Sequence, residues 1–346
     1  MRLKYVGTET IVDDGYHNAF TDLLSYENYL YLAYRKAQTH DAITKGNIKI
    51  IRLPLSEKSL YHSYLWEDYA TIDTGGDDRD PKLYIVDSGD KEDEKMLCVI
   101  WGTYYPRWAG SGVLRIREDD LMPHGTYFKK NGAMSAIRQP YRPNYWIWSV
   151  FANNSKNDND AQYLAAAYHF GDGVMEMNHS LHLLKSGNGI FFEYHSPLYP
   201  ENFIPISEPS LFSHKDRLCC IARTEGKTCA LFFLNQISYK MNYYFLHTPI
   251  HSPKALSIGD ETFISGRLYE DRKASTCLWR LIDNNFVGPE LELIYTFDTS
   301  GDCGYPGMAV VNDKLFVSYY SQHLCKHVKY LPKQADIFLS TFNIEE

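Results

Sequence analysis

The sequence predicts an all-β fold, a six-bladed β-propeller, from three observations. A strand–turn–strand unit repeats six times, a proline recurs in one register of that unit, and no sustained helical periodicity runs through the 346 residues. Each unit opens on a polar or proline-containing start, continues as an apolar strand, turns on Asp, Asn or Gly, and returns in a second, aromatic-rich strand. In chain order the first strands open at Ala19-Phe20-Thr21-Asp22-Leu23, Asp80-Pro81-Lys82-Leu83, Trp148-Ser149-Val150-Phe151, Glu208-Pro209-Ser210-Leu211, Ser252-Pro253-Lys254-Ala255 and Tyr305-Pro306-Gly307-Met308. The second strands follow at 29–35, 96–101, 163–168, 218–223, 262–267 and 315–320, with starts 44 to 67 residues apart. Four of the six copies carry the proline, and three of them, 208–223, 252–267 and 305–320, match in length without a gap.

A third strand is expected after each pair, at 47–52, 112–117, 180–184, 229–233, 276–280 and 337–342, while 66–70 reads as at most a turn of helix. Units of three to four strands at this period bury one face against their neighbours around a ring. Residues 4–12 are expected to form the outer strand of the last blade, pairing the two ends of the chain and removing a free edge. The expected organisation is one domain over residues 1–346.

Composition narrows the function classes. With 35 Lys and Arg against 43 Asp and Glu, the formal charge is −8, and no run of five cations offers the clustered positive charge that a phosphate backbone requires. No nucleic-acid partner is expected. No stretch has the apolar length to cross a bilayer, and the first twenty residues lack the apolar centre of a signal peptide, so the expectation is a cytoplasmic chain without a membrane partner. Seven cysteines, mostly inside apolar strand-like runs, point to buried thiols rather than a disulfide framework. The 28 tyrosines fit strand propensity for the most part, although tyrosine also lines sugar-binding clefts.

In such a ring the inner strands open onto a central funnel. A proline at a strand start lies outside the ladder and holds the preceding residue extended, which places Asp80, Glu208, Ser252 and Tyr305 at the rim. The adjacent strand ends bring Arg35, Arg223, Arg267 and Tyr320 to the same face, beside the loop Thr39-His40-Asp41. Converging guanidiniums suit a planar carboxylate on a ligand. Where a sugar bears a carboxylate at its anomeric carbon, an anionic nucleophile is repelled, and a tyrosine whose proton passes to a paired glutamate avoids that repulsion.

These residues resemble the sialidase superfamily, in particular through His17-Asn-Ala-Phe-Thr-Asp-Leu23, Arg79-Asp-Pro-Lys-Leu83, Tyr305-Pro-Gly-Met308 and Val317-Ser-Tyr-Tyr-Ser-Gln-His323. The resemblance runs from about His17 to His323. It implies a retaining exo-glycosidase acting on an α-linked nonulosonic acid of the sialic type, with Tyr305 as nucleophile, Glu208 as its base, and Arg223 and Arg267 on the substrate carboxylate. Asp41 or His40 is the expected general acid. Further substrate contacts are expected at Arg35 and Arg79, either of which would replace a missing arm of the arginine clamp, and at Asp80, Tyr320 and His323. The sequence departs from the family at Ala19 and Thr21, which stand where the family's first-blade Arg and Pro would fall, and it lacks the usual Asp-box; Ser257-Ile-Gly-Asp-Glu-Thr-Phe263 is a poor echo. No cofactor is implied, and no metal: His323, Cys325 and His327 alternate along a strand without the spacing of a structural zinc site. Trp101, Trp146 and Trp148 either stack on sugar rings or pack the core. Two other readings stay open: a non-catalytic propeller that binds an acidic glycan, and a glycosidase for another sugar acid, Kdo-type or uronic.

Overall fold

In the computed structural model the described residues are 1–346 apart from 43, 56–64, 88–94, 106, 109–113, 116–120, 154–160, 170–179, 200–203, 235–240, 271–272, 285–287, 326–333 and 346. The chain opens with β1 (Arg2–Val12) and then lays down one sheet after another. Blade one is β2 (His17–Tyr26), β3 (Tyr29–Ala37), β4 (Asn47–Pro54) and β5 (Glu67–Ile72). Blade two is β6 (Asp77–Asp87), β7 (Lys95–Tyr104) and, after the two-residue strands β8 (Arg107–Trp108) and β9 (Leu114–Arg115), β10 (Leu121–Phe128). Blade three is β11 (Tyr145–Ala152), β12 (Tyr163–His169), β13 (Ser180–Ser186) and β14 (Glu193–Pro197). Blade four is β15 (Ile206–His214), β16 (Arg217–Thr224), β17 (Cys229–Leu234) and β18 (Met241–Leu246). Blade five is β19 (Ile250–Ile258), β20 (Glu261–Glu270), β21 (Lys273–Asn284) and β22 (Gly288–Thr296). Blade six is β23 (Cys303–Val311), β24 (Lys314–Ser321) and β25 (Asp336–Glu345), with β1 as its outer strand, paired antiparallel to β25 from Arg2 opposite Glu345 to Val12 opposite Ile337.

All six predicted strand pairs are present. Two finer expectations fail. The segment read as a helical turn is β5, whose mostly exposed edge position removes the alternation that would mark a strand. In blade two the third strand is β10, not 112–117: only Leu114–Arg115 of that stretch is a strand, and it pairs with Arg107–Trp108. Pro123 and Gly125 disguise β10 in the sequence, and Pro123 is tolerated because β10 lies at the edge of its sheet.

The inner strands β2, β6, β11, β15, β19 and β23 each pack on the next, and β23 closes onto β2. Apolar residues fill the wedges between blades. Trp101, Trp146 and Trp148 lie in this packing, all nearly fully buried, so they serve the core. Gly102 makes one wedge possible: a Cβ there would meet the Trp146 ring at 2.4 Å. All seven cysteines are free and buried, as their apolar surroundings predicted.

The feature that positions the site is a bulge repeated in the inner strands. The ladder slips by one residue between Ala19 and Asp22, Arg79 and Lys82, Ser207 and Ser210, His251 and Lys254, and Gly304 and Gly307. The bulged residues Phe20, Asp80, Glu208, Ser252 and Tyr305 all have positive φ, between 48° and 58°. This corrects the expectation that proline would hold the preceding residue extended. The left-handed backbone is unfavourable for such side chains, and the surrounding ladder must enforce it five times in one register.

Candidate active site

Glu208 and Tyr305, from bulges in blades four and six, meet across the ring: the Tyr305 hydroxyl donates to Glu208 Oε1 at 3.1 Å. The same oxygen accepts from Arg223 Nη1 at 3.2 Å, and Oε2 accepts from the Ser252 amide at 2.5 Å and its hydroxyl at 3.3 Å. Glu208 is only 4% exposed. Burial alone would raise its pKa, but Arg223, the Ser252 amide and Arg267 outweigh it and hold the carboxyl below its ordinary value. Burial, followed by the charge of Glu208, pushes the Tyr305 phenol well up, so the resting hydroxyl keeps its proton. Its ring lies between Phe20, at 4.6 Å, and Trp148, at 5.9 Å, with the Arg267 guanidinium 5.2 Å from its centre.

Arg267 leads to a residue that no sequence motif marked. Asp302 receives four donors from three blades: Arg267 Nη2 at 3.2 Å and the Tyr320 hydroxyl at 2.7 Å on Oδ1, with His17 Nε2 at 3.0 Å and His40 Nδ1 at 2.5 Å on Oδ2. Although burial would raise its pKa, His17, His40 and Arg267 hold it far below the ordinary carboxylate range. Arg267 also donates Nε to the Cys303 carbonyl and Nη2 to Tyr320 at 2.8 Å. Gly304, at φ 109°, permits this approach, since a Cβ would stand 2.9 Å from the Arg267 Cβ. Tyr320 is fully buried, so it supports Arg267 and Asp302 rather than lining an open cleft.

His40 is half exposed and rests edge-on against Phe20 at 5.4 Å, which joins it to the Tyr305 ring. Asp41 is placed differently: its side chain is exposed, and its carbonyl serves the loop by accepting from Thr44 and Arg35. Arg35, expected to reach substrate, is 0% exposed. Its Nε binds Asp77 at 2.8 Å, and its terminal nitrogens hold Asp77 and the carbonyls of Thr39, Asp41 and Thr44. That guanidinium shapes the His40 loop and leaves no nitrogen for a ligand. Arg79 binds Asp77 and the His40 carbonyl while its guanidinium lies 5.5 Å from the centre of Phe20, so it is the cation that stands beside the cluster in blade two. His323, expected at the funnel, packs tilted against Phe338 at 4.5 Å and bonds Ser321, apart from the cluster. His327, the third member of the His323, Cys325 and His327 trio, lies outside the described residues.

Asp80 occupies the same bulge register as Glu208. It is 7% exposed and its Oδ1 has no hydrogen-bond partner among the described residues. Burial pushes its pKa up to about 6, against the opposing charges of Lys82 and Arg79. A raised folded-state value means that its contribution to stability is most favourable below about pH 4 and is lost as pH rises through about 6. Asp80→Asn is therefore expected to stabilise the fold at pH 7.5 by up to about 3 kcal/mol, with a gain that disappears near pH 4 in denaturant titrations at the two pH values.

Among the described residues, one trio, His17, His40 and Asp302, brings three metal-capable atoms within 4.8 Å of one another. The Arg267 guanidinium on Asp302 opposes a further cation there, and the hydrogen bonds already pair these groups with one another. Phe20 and His17 were also missed as site residues. Phe20 holds the same register as Glu208 and Tyr305, and that register was the available signal. His17 opens the same strand.

No model of a known protein family matches the chain, and no curated protein sequence does. Solved structures do. Phage phi92 endosialidase superposes with a TM-score of 0.63 over 99% of this chain and 70% of its own, at 11% identity. Trypanosoma rangeli sialidase, as a mutant displaying trans-sialidase activity, superposes with a TM-score of 0.60 over 94% of this chain at 10% identity, and in complex with the inhibitor DANA with 0.58 at the same coverage and identity. The chain spans about half the length of the Trypanosoma structures. At these identities the likeness is one of fold, and this chain folds as a sialidase-like six-bladed β-propeller.

Proposed function

We propose that this chain is a retaining glycosidase that removes an α-linked nonulosonic acid from the end of a glycan. The observation that carries the reading is the Tyr305 hydroxyl donating to Glu208 while Arg223 binds the same carboxylate oxygen. A phenol paired with an ionised carboxylate is the nucleophile suited to an anomeric carbon that itself bears a carboxylate. A further support is that the structurally similar Trypanosoma rangeli sialidase is solved in complex with 2,3-difluorosialic acid as a covalent intermediate.

Arg223, Arg267 and Arg79 receive the substrate carboxylate, and Asp80 accepts a sugar hydroxyl on its unpartnered Oδ1. Tyr305 Oη bonds to the anomeric carbon as its proton passes to Glu208, and the bond to the leaving oxygen breaks as His40 protonates that oxygen. In the second half His40 takes a proton from water, the hydroxide bonds to the anomeric carbon, the bond to Tyr305 breaks, and Glu208 returns the proton. His40 is preferred to Asp41 as the acid because Asp302 fixes its Nδ1, leaving Nε2 for the transfer, as an aspartate orients a catalytic histidine in a triad. His40→Gln is expected to lower kcat/KM by about 10²-fold or more on alkyl or sugar leaving groups, and by less than about tenfold on aryl leaving groups that depart without help. Equal losses on both would remove His40 as the acid.

A second reading has an observation of its own. Ala19, buried, stands at the register of the missing arginine, and Arg35 is locked into its loop, which favours a propeller that holds an acidic glycan without cleaving it. Aryl α-glycosides of sialic, deaminated sialic, legionaminic, pseudaminic, Kdo-type and uronic acids separate the two. Turnover of one with retained configuration supports hydrolysis, and silence with saturable binding supports the second reading.

A further inference from the structure

The tyrosine excess is not accounted for by the candidate active site. Part of it lies on the opposite face of the ring, between blades one and two. β3 carries Arg35 at its active-site end and Tyr29 six residues away at the other, a separation of roughly 20 Å. Around that far end a cleft of about 500 Å³ is built from the β2–β3 turn, β4, β5, the start of β7, the end of β10 and the turn after it.

Its floor is aromatic: the Tyr69 ring packs against Tyr31 at 5.2 Å and Phe128 at 4.9 Å. The Arg52 guanidinium lies 4.1 Å from the centre of Tyr29 and 5.2 Å from that of Tyr69, held by Glu67 at 3.2 Å. Burial pushes the Tyr69 phenol up to about 12, so it remains a hydroxyl donor at neutral pH. The rim is exposed and charged. Lys95, Lys129 and Lys130 stand there with Arg52, which Glu67 pairs, and with the carboxylates of Glu27 and Asp68, so the lysines are the excess cations of the rim in a chain whose formal charge is −8.

We propose that this cleft is a second binding site, separate from the candidate active site, for an acidic polysaccharide chain. The tyrosine rings present both apolar faces and hydroxyls to sugar rings. The lysines supply cations for the carboxylates that such a chain carries, and Glu27 and Asp68 accept sugar hydroxyls. The same two carboxylates disfavour nucleic acid, whose duplex sets a phosphate about every 1.7 Å. Chemistry at the other face is not needed for this site to bind. Where hydrolysis does occur, tethering a chain roughly 20 Å away raises the effective concentration of its ends at the reacting centre.

Affinity electrophoresis through gels containing polysialic acid, polygalacturonate or neutral dextran tests it. The wild-type chain is expected to be retarded by at least one acidic polymer and not by dextran. Arg223→Ala, which weakens anion binding at the other face, should keep most of that retardation. The exposed pair Lys129→Glu with Lys130→Glu should weaken it about tenfold or more. The proposal is overturned by no retardation in any acidic gel, by equal retardation in dextran, by retardation that the lysine pair does not change, or by its complete loss in Arg223→Ala. Turnover of aryl glycosides, measured separately, reports on the hydrolytic reading alone.

Discussion

Tyr305→Phe is expected to lower kcat/KM on an aryl α-nonulosonide by roughly 10⁴-fold, because it deletes the oxygen that the proposed mechanism bonds to the anomeric carbon while leaving the ring in place. The ring contacts with Phe20, Trp148 and Arg267 persist, so folding should change little: the lost hydrogen bond to Glu208 is worth about 1 kcal/mol. That separation makes the variant informative. A large loss of activity with a nearly unchanged melting temperature identifies a chemical role, and a loss that tracks unfolding does not. Glu208→Gln should give a comparable loss of activity by removing the proton acceptor, together with some loss of stability, because Arg223 loses one of its two carboxylate partners and keeps only Glu225, at 2.9 Å.

Asp302→Ala carries the second large effect, and on stability. Its carboxylate serves Arg267, Tyr320, His17 and His40 at once, and Tyr320 and His17 are almost fully buried. Removing it leaves a largely buried guanidinium uncompensated, at a cost of about 3–5 kcal/mol, which urea denaturation at pH 7 would read as a lower midpoint. Because the folded carboxyl is held below its unfolded value, its stabilisation is fully present above about pH 4 and is lost as pH falls further. The wild type and Asp302→Ala should therefore converge in stability on acidification. Asp80, raised rather than lowered, runs in the opposite sense: its charge weighs against folding above about pH 6, and Asp80→Asn gains most there. Asp302→Asn keeps the shape and should reveal the positioning role. The loss should fall on kcat for poor leaving groups more than on KM, since an asparagine no longer anchors the His40 ring as a carboxylate does.

The six paired strands were legible because their aromatic, β-branched and apolar runs stand between clear turns, and because proline fixes one register in four of them. That register also exposed Glu208, Arg223, Arg267 and Tyr305 as a group. What it hid was the backbone at the proline itself. An X-Pro pair reads as extended, whereas the ring imposes a bulge with positive φ at Asp80, Glu208, Ser252 and Tyr305, and at Phe20, where no proline follows. Phe20 carries no signal of its own, because an apolar residue at the start of a strand reads as core. Asp302 could not be read at all: its importance arises from donors that reach it from the first, fifth and sixth blades, and no local spacing encodes that meeting. Arg35 was misread for a related reason, since a strand-end arginine looks the same in sequence whether it faces the funnel or is closed into a loop by Asp77 and three carbonyls.

The central claim is that Tyr305 forms a covalent bond with an acidic sugar. Incubation with 2,3-difluoro derivatives of the nonulosonic acids, followed by intact-mass and peptide-mass spectrometry, tests it most directly. The account predicts a stoichiometric mass increase of one glycosyl unit from the turned-over member of the series, carried on the peptide containing Tyr305 and absent in Tyr305→Phe. A hydrolysed aryl substrate with no adduct in any derivative, or an adduct on another residue, would contradict it.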